Sequence, residues 1–130
     1  ESVRHIERGG VRIGRWRTAE MVPLCDVYVA SISSTIRWAI ACGRPVVNYD
    51  VYRYRYTDFV RVPGVLTMED QGRFRATLRR LATDSDYRSS IAQAQQSVAI
   101  QWGLLDGRVG DRILFLIEHL TQRKISCSNC

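Results

Sequence analysis

Residues 25–50, CDVYVASISSTIRWAIACGRPVVNYD, constrain the fold more than any other part of this sequence. Two short apolar runs, DVYVA and PVVNY, are separated by a cluster of small hydroxyl residues and by a helix-like segment that stops at Gly43. Neither run alternates strictly between apolar and polar residues, which is typical of parallel strands covered on both faces. A helix between two such strands is the crossover connection of an α/β fold. The stretch therefore predicts a parallel sheet, with a helix that Ser33 or Ser34 caps and that ends near Cys42.

Apolar spacing and capping signals predict the other elements. Residues 11–15 (VRIGR) and 64–68 (GVLTM) are further strand candidates, and a short helix is predicted from Thr18 to Leu24. Three more helices are predicted to start near residues 70, 84 and 111. The residues expected to face the core from these three helices are Phe74, Leu78, Leu81 and Ala82, then Tyr87, Ile91, Ala94, Val98 and Trp102, and finally Ile113, Leu114, Ile117 and Leu120.

Length and composition fit one folded unit. The chain has 130 residues, of which 45% are hydrophobic and 25% charged, and this balance is globular. We predict a single α/β, Rossmann-like three-layer domain with a short parallel sheet over residues 1–123, followed by a flexible tail over residues 124–130. Because no run of about 18 apolar residues occurs, no transmembrane helix is expected. The first ten residues lack an apolar signal core, so no secretory signal is expected.

The charge of the chain limits its partners. The net charge is +6, and Lys124 is the only lysine. Basic surfaces attract phosphates, nucleic acids and anionic membranes. The arginines are scattered, however, and neither zinc-finger spacing nor an RNA-binding signature is present, so no nucleic-acid partner is expected. Peripheral contact with an anionic membrane, at its inner face, stays open as an alternative.

The cysteines predict neither a disulfide scaffold nor a metal site. Cys25 and Cys42 lie in apolar segments and are expected to be small core residues. Cys127 and Cys130 form one C-x-x-C pair, which is only half of a zinc site and has no second pair or histidine near it in sequence. We therefore predict no metal and a reducing, cytoplasmic location.

The hydroxyl cluster is the strongest functional signal. Ser31, Ser33, Ser34 and Thr35 follow the first apolar run, where parallel sheets bind ligands beyond the carboxyl ends of their strands. A helix amino terminus with small hydroxyl residues suits a phosphate group. The alternative is ordinary capping, which needs only one serine. Arg37, one turn further on, faces either a phosphate or solvent.

A family resemblance adds to this interpretation. A strand that starts with Asp26, a small polar loop and a helix that ends in A-x-x-x-G-x-P, here Ala39, Gly43 and Pro45, resemble the carboxyl-terminal, nucleotide-sugar-binding half of GT-B glycosyltransferases. The SST turn and the tyrosines that follow also resemble glycerophosphotransferases that build teichoic-acid-like polymers. The resemblance covers about residues 11–68. It departs at Trp38, where many retaining members carry a glutamate that holds the donor ribose.

The resemblance implies a donor site on an incomplete enzyme. The donor would be a nucleotide diphosphate-sugar or a CDP-linked polyol used in polysaccharide or glycoconjugate biosynthesis, and no separate cofactor is implied. Phosphate-binding residues would be Ser31, Ser33, Ser34, Thr35 and Arg37, and sugar or base contacts would come from Trp38, Asn48, Asp50, Tyr52 and Arg53. No catalytic residue is assigned, because the family's base comes from an amino-terminal acceptor domain that these residues do not contain. The isolated chain is expected to be inactive.

Several alternatives remain from the sequence. Trp38 is also a candidate for buried packing, Asp50 for a turn, and the YRYRY segment for an edge strand or a partner contact. The whole chain is also compatible with a nucleotide-sugar epimerase domain or a non-catalytic α/β scaffold. Finally, the edge of DVYVA is expected either to pair with residues 11–15 or to be buried in a homodimer.

Overall fold

The structure is a computed structural model that describes residues 14–127, with side chains up to Gln122. Residues 11–13 of the predicted first strand lie outside this range, and Gly14 and Arg15 are not in a strand. The elements, in chain order, are α1 (Thr18–Met21), a 3-10 turn (Val22–Leu24), β1 (Tyr28–Ala30), α2 (Ile36–Ala41), β2 (Val46–Tyr49), β3 (Val65–Met68), α3 (Gln71–Thr83), α4 (Ser85–Trp102) and α5 (Val109–Cys127).

The three strands form one parallel sheet in the order β1-β2-β3. Val47 of β2 pairs with Val29 of β1 on one side and with Leu66 of β3 on the other. The predicted α/β class and the short parallel sheet are therefore confirmed. Within residues 14–127, β1 has a neighbouring strand on one side only, so pairing or dimerisation at its outer edge stays a prediction.

Helices cover both faces of the sheet. Successive strand residues point to opposite faces, so neighbouring residues of β2 belong to two different core clusters. Val46 packs with Ile36 and Ile40 of α2 in one buried cluster. Val47 belongs to a second cluster, with Leu81 of α3. Helix α4 contributes to both clusters, through its carboxyl-terminal and its amino-terminal half. The sheet therefore lies between two layers of helices, as predicted. The loops after β1 and β2 meet at the carboxyl edge of these strands.

Gln95 of α4 is a polar residue in the middle of this core. Its side chain is fully buried. With its amide nitrogen oriented toward the acceptors, it donates to the carbonyl oxygens of Arg44 and Gly64, each at 2.8 Å. These residues lie just before β2 and β3. Gln95 therefore supplies a donor to the Arg44 carbonyl and a second donor to the Gly64 carbonyl, which also accepts the Val46 N–H at 3.0 Å, and it ties α4 to the starts of both strands.

The predicted starts of α3 and α4 are confirmed by their caps. Asp70 Oδ1 accepts the backbone N–H of Arg73 at 2.7 Å, and Asp84 Oδ1 accepts that of Tyr87 at 2.8 Å. Each aspartate thereby satisfies an amide at a helix amino terminus that has no partner within its helix.

Asp84 makes the stability of this region depend on pH. The hydrogen bond from Tyr87 N–H, and secondarily the Arg80 side chain, hold the pKa of the Asp84 carboxyl below its ordinary 3.8. Because the folded-state pKa is depressed, the stabilisation is complete above 3.8 and is lost as the pH falls through the lowered value. In Asp84→Asn the cap is kept but the charge is removed, so the fall in melting temperature between about pH 5 and about pH 2.5 should become shallower.

Thermal unfolding of Asp84→Asn across that pH range is the measurement, with Asp26→Asn, an exposed aspartate before β1, as the control. If the melting temperature of Asp84→Asn fell with decreasing pH as steeply as that of the wild type, this role of the carboxylate would be contradicted.

The prediction that α5 faces inward is wrong. Ile113, Leu114, Ile117 and Leu120 are 52–63% exposed. The two core clusters are closed by α2, α3 and α4, so α5 finds no unfilled face of the sheet. The helix reaches Cys127, into the segment predicted as a tail. No helix among residues 14–127 has both the length and the apolar character that crossing a membrane requires.

Candidate functional site

A cleft of about 270 Å3 lies where the loops after β1 and β2 meet. Both strands end at this edge of the parallel sheet, which is where ligands bind in open α/β sheets. Its lining residues are Ile32, Ser33, Ser34, Arg37, Asn48, Tyr56, Asp58 and Phe59. Four of the predicted site residues, Ser33, Ser34, Arg37 and Asn48, are thus brought together by the fold.

The loop after β1 is held in an unusual conformation. Ile32 has a φ of 46°, in the left-handed region that β-branched residues rarely adopt. Its backbone N–H donates to Asn48 Oδ1 at 3.1 Å. Asn48, at the end of β2, is itself 3% exposed, so it is a rigid anchor. One asparagine therefore fixes the loop that carries the serines to the neighbouring strand.

Three hydroxyl groups of this region form a small internal network. Thr35 Oγ1 lies 2.5 Å from the Tyr28 hydroxyl and 2.7 Å from Ser33 Oγ. Ser33 Oγ also accepts the backbone N–H of Thr35 at 3.3 Å. Thr35 is thus occupied inside the loop. Ser34 is exposed and Ser33 partly so, and both of these serines line the cleft. Ser31 is exposed but is not among the lining residues.

The start of α2 differs from the prediction of a serine cap. The capping position is Thr35, in helical conformation and without a side-chain capping bond. The backbone N–H groups of Ile36, Arg37 and Trp38 donate to the carbonyls three residues earlier, at 3.0–3.2 Å. Because these amides already have partners and α2 has only six residues, the start of this helix is not an open row of donors. A ligand in the cleft would meet side chains instead.

Arg37 and Trp38 share one cavity, and only Arg37 also reaches the polar cleft. Arg37 lines the cleft and also a second, largely apolar groove of about 540 Å3, where its guanidinium carbon lies 5.7 Å from the centre of the Trp102 ring. Trp38 lines that groove and is 48% exposed, so the buried packing role considered for it is wrong. Trp38 is not among the residues that line the polar cleft.

Asp50 has a structural position. It is 3% exposed, and its two carboxylate oxygens accept the backbone N–H groups of Tyr54 at 3.0 Å and of Arg55 at 2.7 Å. This arrangement matches the alternative prediction that Asp50 forms a turn, because its carboxylate closes the loop that follows β2. Asp50 is not among the residues that line the cleft.

The aromatic segment after Asp50 is an exposed loop rather than a strand. Its three tyrosine rings follow one another, with centres 5.6 Å apart for Tyr52 and Tyr54 and 6.0 Å apart for Tyr54 and Tyr56. Arg53 and Arg55 have φ values of 56° and 55°, which explains why the segment does not extend as an edge strand. Only Tyr56 of this group lines the cleft, so the expected donor contacts of Tyr52 and Arg53 stay predictions.

Three lining residues, Ile32, Asp58 and Phe59, were not singled out from the sequence, and Tyr56 was named only as part of the tyrosine segment. Tyr56 belongs to an aromatic cluster that the sequence shows, but the direction of its ring depends on the positive φ values before it. Asp58 carries no local signal. Phe59 is buried and its ring lies 5.7 Å from that of Trp102, so it forms the floor between the cleft and the core.

The thiols near the apolar groove are not activated. Burial raises the pKa of Cys25 and Cys42, and the positive charge of Arg44 offsets this only in part. Both thiols are therefore protonated at neutral pH and are poor nucleophiles. In the part of the chain that the structure describes, no group of three histidine, cysteine, aspartate or glutamate residues is arranged to hold a metal ion.

Comparison with known proteins gives no relative: no family model, no curated protein and no solved structure matches this chain.

Proposed function

We propose that the polar cleft binds the diphosphate of a nucleotide-sugar or of a CDP-linked polyol, and that the chain is the donor-binding part of a GT-B-like transferase. The observation that carries this proposal is the convergence of Ser33, Ser34, Arg37 and Asn48 at the carboxyl edge of β1 and β2. Hydroxyls, an amide and a guanidinium are suitable donors to phosphate oxygens.

The chemistry of the lining favours an anion that also carries hydroxyl groups. Arg37 offers a forked set of N–H donors, which matches phosphate oxygens. Asp58, which lines the cleft from the loop after β2, is an acceptor and would repel a phosphate, so it suits a sugar or polyol hydroxyl instead. The two groups would orient a donor with its phosphates toward α2 and its polyol toward the tyrosine loop.

The size of the cleft sets how much of the donor it can hold. Pockets that enclose a whole drug-sized ligand usually have volumes of about 300 to 1,000 Å3. The cleft, at about 270 Å3, falls just below this range. We therefore expect it to hold the diphosphate and part of the sugar, with the base lying outside.

The strained residue in the loop is a second line of support. A β-branched residue at positive φ costs on the order of 1 to 3 kcal/mol, and such strain is concentrated at ligand sites. Ile32 is strained in this way and lines the cleft between the two serines and Asn48. Its conformation is maintained by the Asn48 side chain, which aligns the serine loop before any ligand arrives.

In transfer, the charge that grows on the leaving phosphate would be stabilised by Arg37 and the cleft hydroxyls. Donors that are already aligned in the ground state stabilise developing charge without reorganisation. The amides at the start of α2 would contribute little, because they are paired within their own turn.

Ser34→Asp tests the site. A carboxylate at this exposed lining position would repel a diphosphate, so binding of UDP and CDP should weaken at least about tenfold. The fold should survive, because Ser34 is exposed and the side-chain hydrogen bonds that hold the loop are made by Ser33 and Thr35. Titration with each nucleotide, followed by amide chemical shifts near residues 31–37, is the measurement.

Ser89→Asp, which adds the same charge at an exposed position of α4, is the control and should bind like the wild type. The proposal fails if the wild type binds neither UDP nor CDP, or if Ser34→Asp binds them as well as Ser89→Asp does.

A further inference from the structure

The apolar groove beside α2 is large enough for a ligand that the polar cleft cannot enclose. Its volume is about 540 Å3, twice that of the cleft, and pockets that hold drug-sized ligands usually have volumes of about 300 to 1,000 Å3. The walls of the groove come from α1 and the 3-10 turn after it, from α2, and from the end of α4. The groove therefore has the dimensions of a binding pocket for a small molecule.

The lining of the groove shows which kind of ligand fits. Two of the three tryptophans of the chain, Trp38 and Trp102, line it. Trp38 is 48% exposed, so its ring is available to a ligand. Among the described residues that line the groove, Arg37 is the only charged one. Indole rings favour stacking with another flat ring, and the guanidinium disfavours a cation. The lining therefore suits a flat, uncharged ring that is attached to an anionic group.

The groove and the polar cleft share a boundary. Arg37 lines both cavities. Phe59 lines the cleft and Trp102 lines the groove, and the centres of these two rings are 5.7 Å apart. The guanidinium carbon of Arg37 lies 5.7 Å from the centre of the Trp102 ring, so the charge is located at this boundary. A phosphate group that Arg37 binds in the cleft would therefore lie next to the groove.

We propose that the apolar groove holds the base of the nucleotide whose diphosphate lies in the polar cleft, with the base stacked on the Trp38 ring. This inference rests on the proposed function, in which the base lies outside the cleft. Trp38 is the stacking residue rather than Trp102, because Arg37 already lies over the Trp102 ring. Stacking requires only the π face that uracil and cytosine both have, so it contributes to the binding of UDP and of CDP.

Trp38→Ala tests the base site, with Trp16→Ala as the matched control. Trp16 is 66% exposed and is not among the residues that line the groove or the cleft. Without the stacking ring, Trp38→Ala should bind UDP and CDP about 5- to 100-fold more weakly than the wild type. Trp16→Ala should bind them within about twofold of the wild type. Because alanine favours helices, α2 should remain formed in Trp38→Ala, as circular dichroism would verify.

Trp16→Ala also serves as a fluorescent reporter, because both of its remaining tryptophans line the groove. UDP should quench its fluorescence, whereas inorganic pyrophosphate, which has no base, should compete with UDP without quenching by itself.

The outcomes separate this inference from the proposed function. The inference is overturned if Trp38→Ala binds UDP as tightly as Trp16→Ala does, or if bound UDP leaves the fluorescence of Trp16→Ala unchanged. UDP binding that Ser34→Asp still weakens would then leave the diphosphate cleft intact. Binding that requires Trp38 but is unaffected by Ser34→Asp would instead support the base site and contradict the diphosphate cleft. If the wild type binds neither nucleotide, both proposals fail.

Discussion

Gly64→Ala is expected to lower the free energy of unfolding by about 2 to 5 kcal/mol, through left-handed backbone strain and overpacking together. Gly64 has a φ of 83°, and an added Cβ would lie 2.9 Å from Gln95 Cδ and still closer to Gln95 Cβ. Because Gln95 Cβ is attached directly to the α4 backbone, it cannot rotate away. The alanine would also displace the amide that donates to the Arg44 and Gly64 carbonyls.

Urea denaturation compares this variant with Gly107→Ala. Gly107 has a similar φ of 72° but has nothing within 4 Å of an added Cβ, so only the backbone cost of about 1 to 2 kcal/mol applies. The difference between the two variants measures the steric term. If both variants lost the same free energy of unfolding, the close packing of α4 on the start of β3 would not be the reason for a glycine at position 64.

Asp50→Asn is expected to lower the free energy of unfolding by about 2 to 3 kcal/mol. Each oxygen of this buried carboxylate accepts one backbone N–H, from Tyr54 and from Arg55. An asparagine has one oxygen, so one of the two N–H groups would face an NH2 group and lose its acceptor. The loop from 51 to 56 would loosen, and with it the position of Tyr56 at the cleft.

The control for this variant is Asp58→Asn, an exposed aspartate in the same loop, with an expected change below about 0.5 kcal/mol. Denaturant unfolding gives the energies, and amide exchange of residues 54 and 55 reports the loop. If Asp50→Asn were as stable as Asp58→Asn, and amide exchange at residues 54 and 55 were unchanged, the structural role assigned to Asp50 would be wrong.

The parts of the fold that the sequence predicts are those where local pattern and burial agree. DVYVA and PVVNY became β1 and β2, with Tyr28 and Val46 as the first paired residues, because continuous apolar runs tolerate burial on both faces. Asp70 and Asp84 marked the starts of helices, because a capping carboxylate acts within three residues of its own position.

The fate of α5 could not be predicted from the same kind of pattern. Apolar residues at helical spacing show that a helix has an apolar face but not which surface covers that face. In this chain the sheet is already covered by α2, α3 and α4, so the face of α5 is left exposed.

The candidate site was predictable to the extent that topology determines it. Ser33 and Asn48 meet because the carboxyl ends of neighbouring parallel strands meet, and this follows from strand order alone. The directions of the Asp50 and tyrosine side chains could not be predicted. They depend on positive φ values at Arg53 and Arg55, and arginine does not favour positive φ.

The buried amide of Gln95 has a consequence for the order in which the chain folds. All three strands are complete by Met68, but the partner of the Arg44 carbonyl is supplied 51 residues later in the chain, by Gln95. During synthesis a sheet without α4 would therefore lack much of its apolar cover, and its Arg44 carbonyl would be hydrogen-bonded to water until Gln95 replaces that water. We expect strand β2 and helix α4 to mature as one late cooperative unit, with a shared opening free energy in native-state hydrogen exchange, rather than the sheet first and the helix afterwards. A β2 that stays protected while α4 exchanges freely would show that the sheet forms independently.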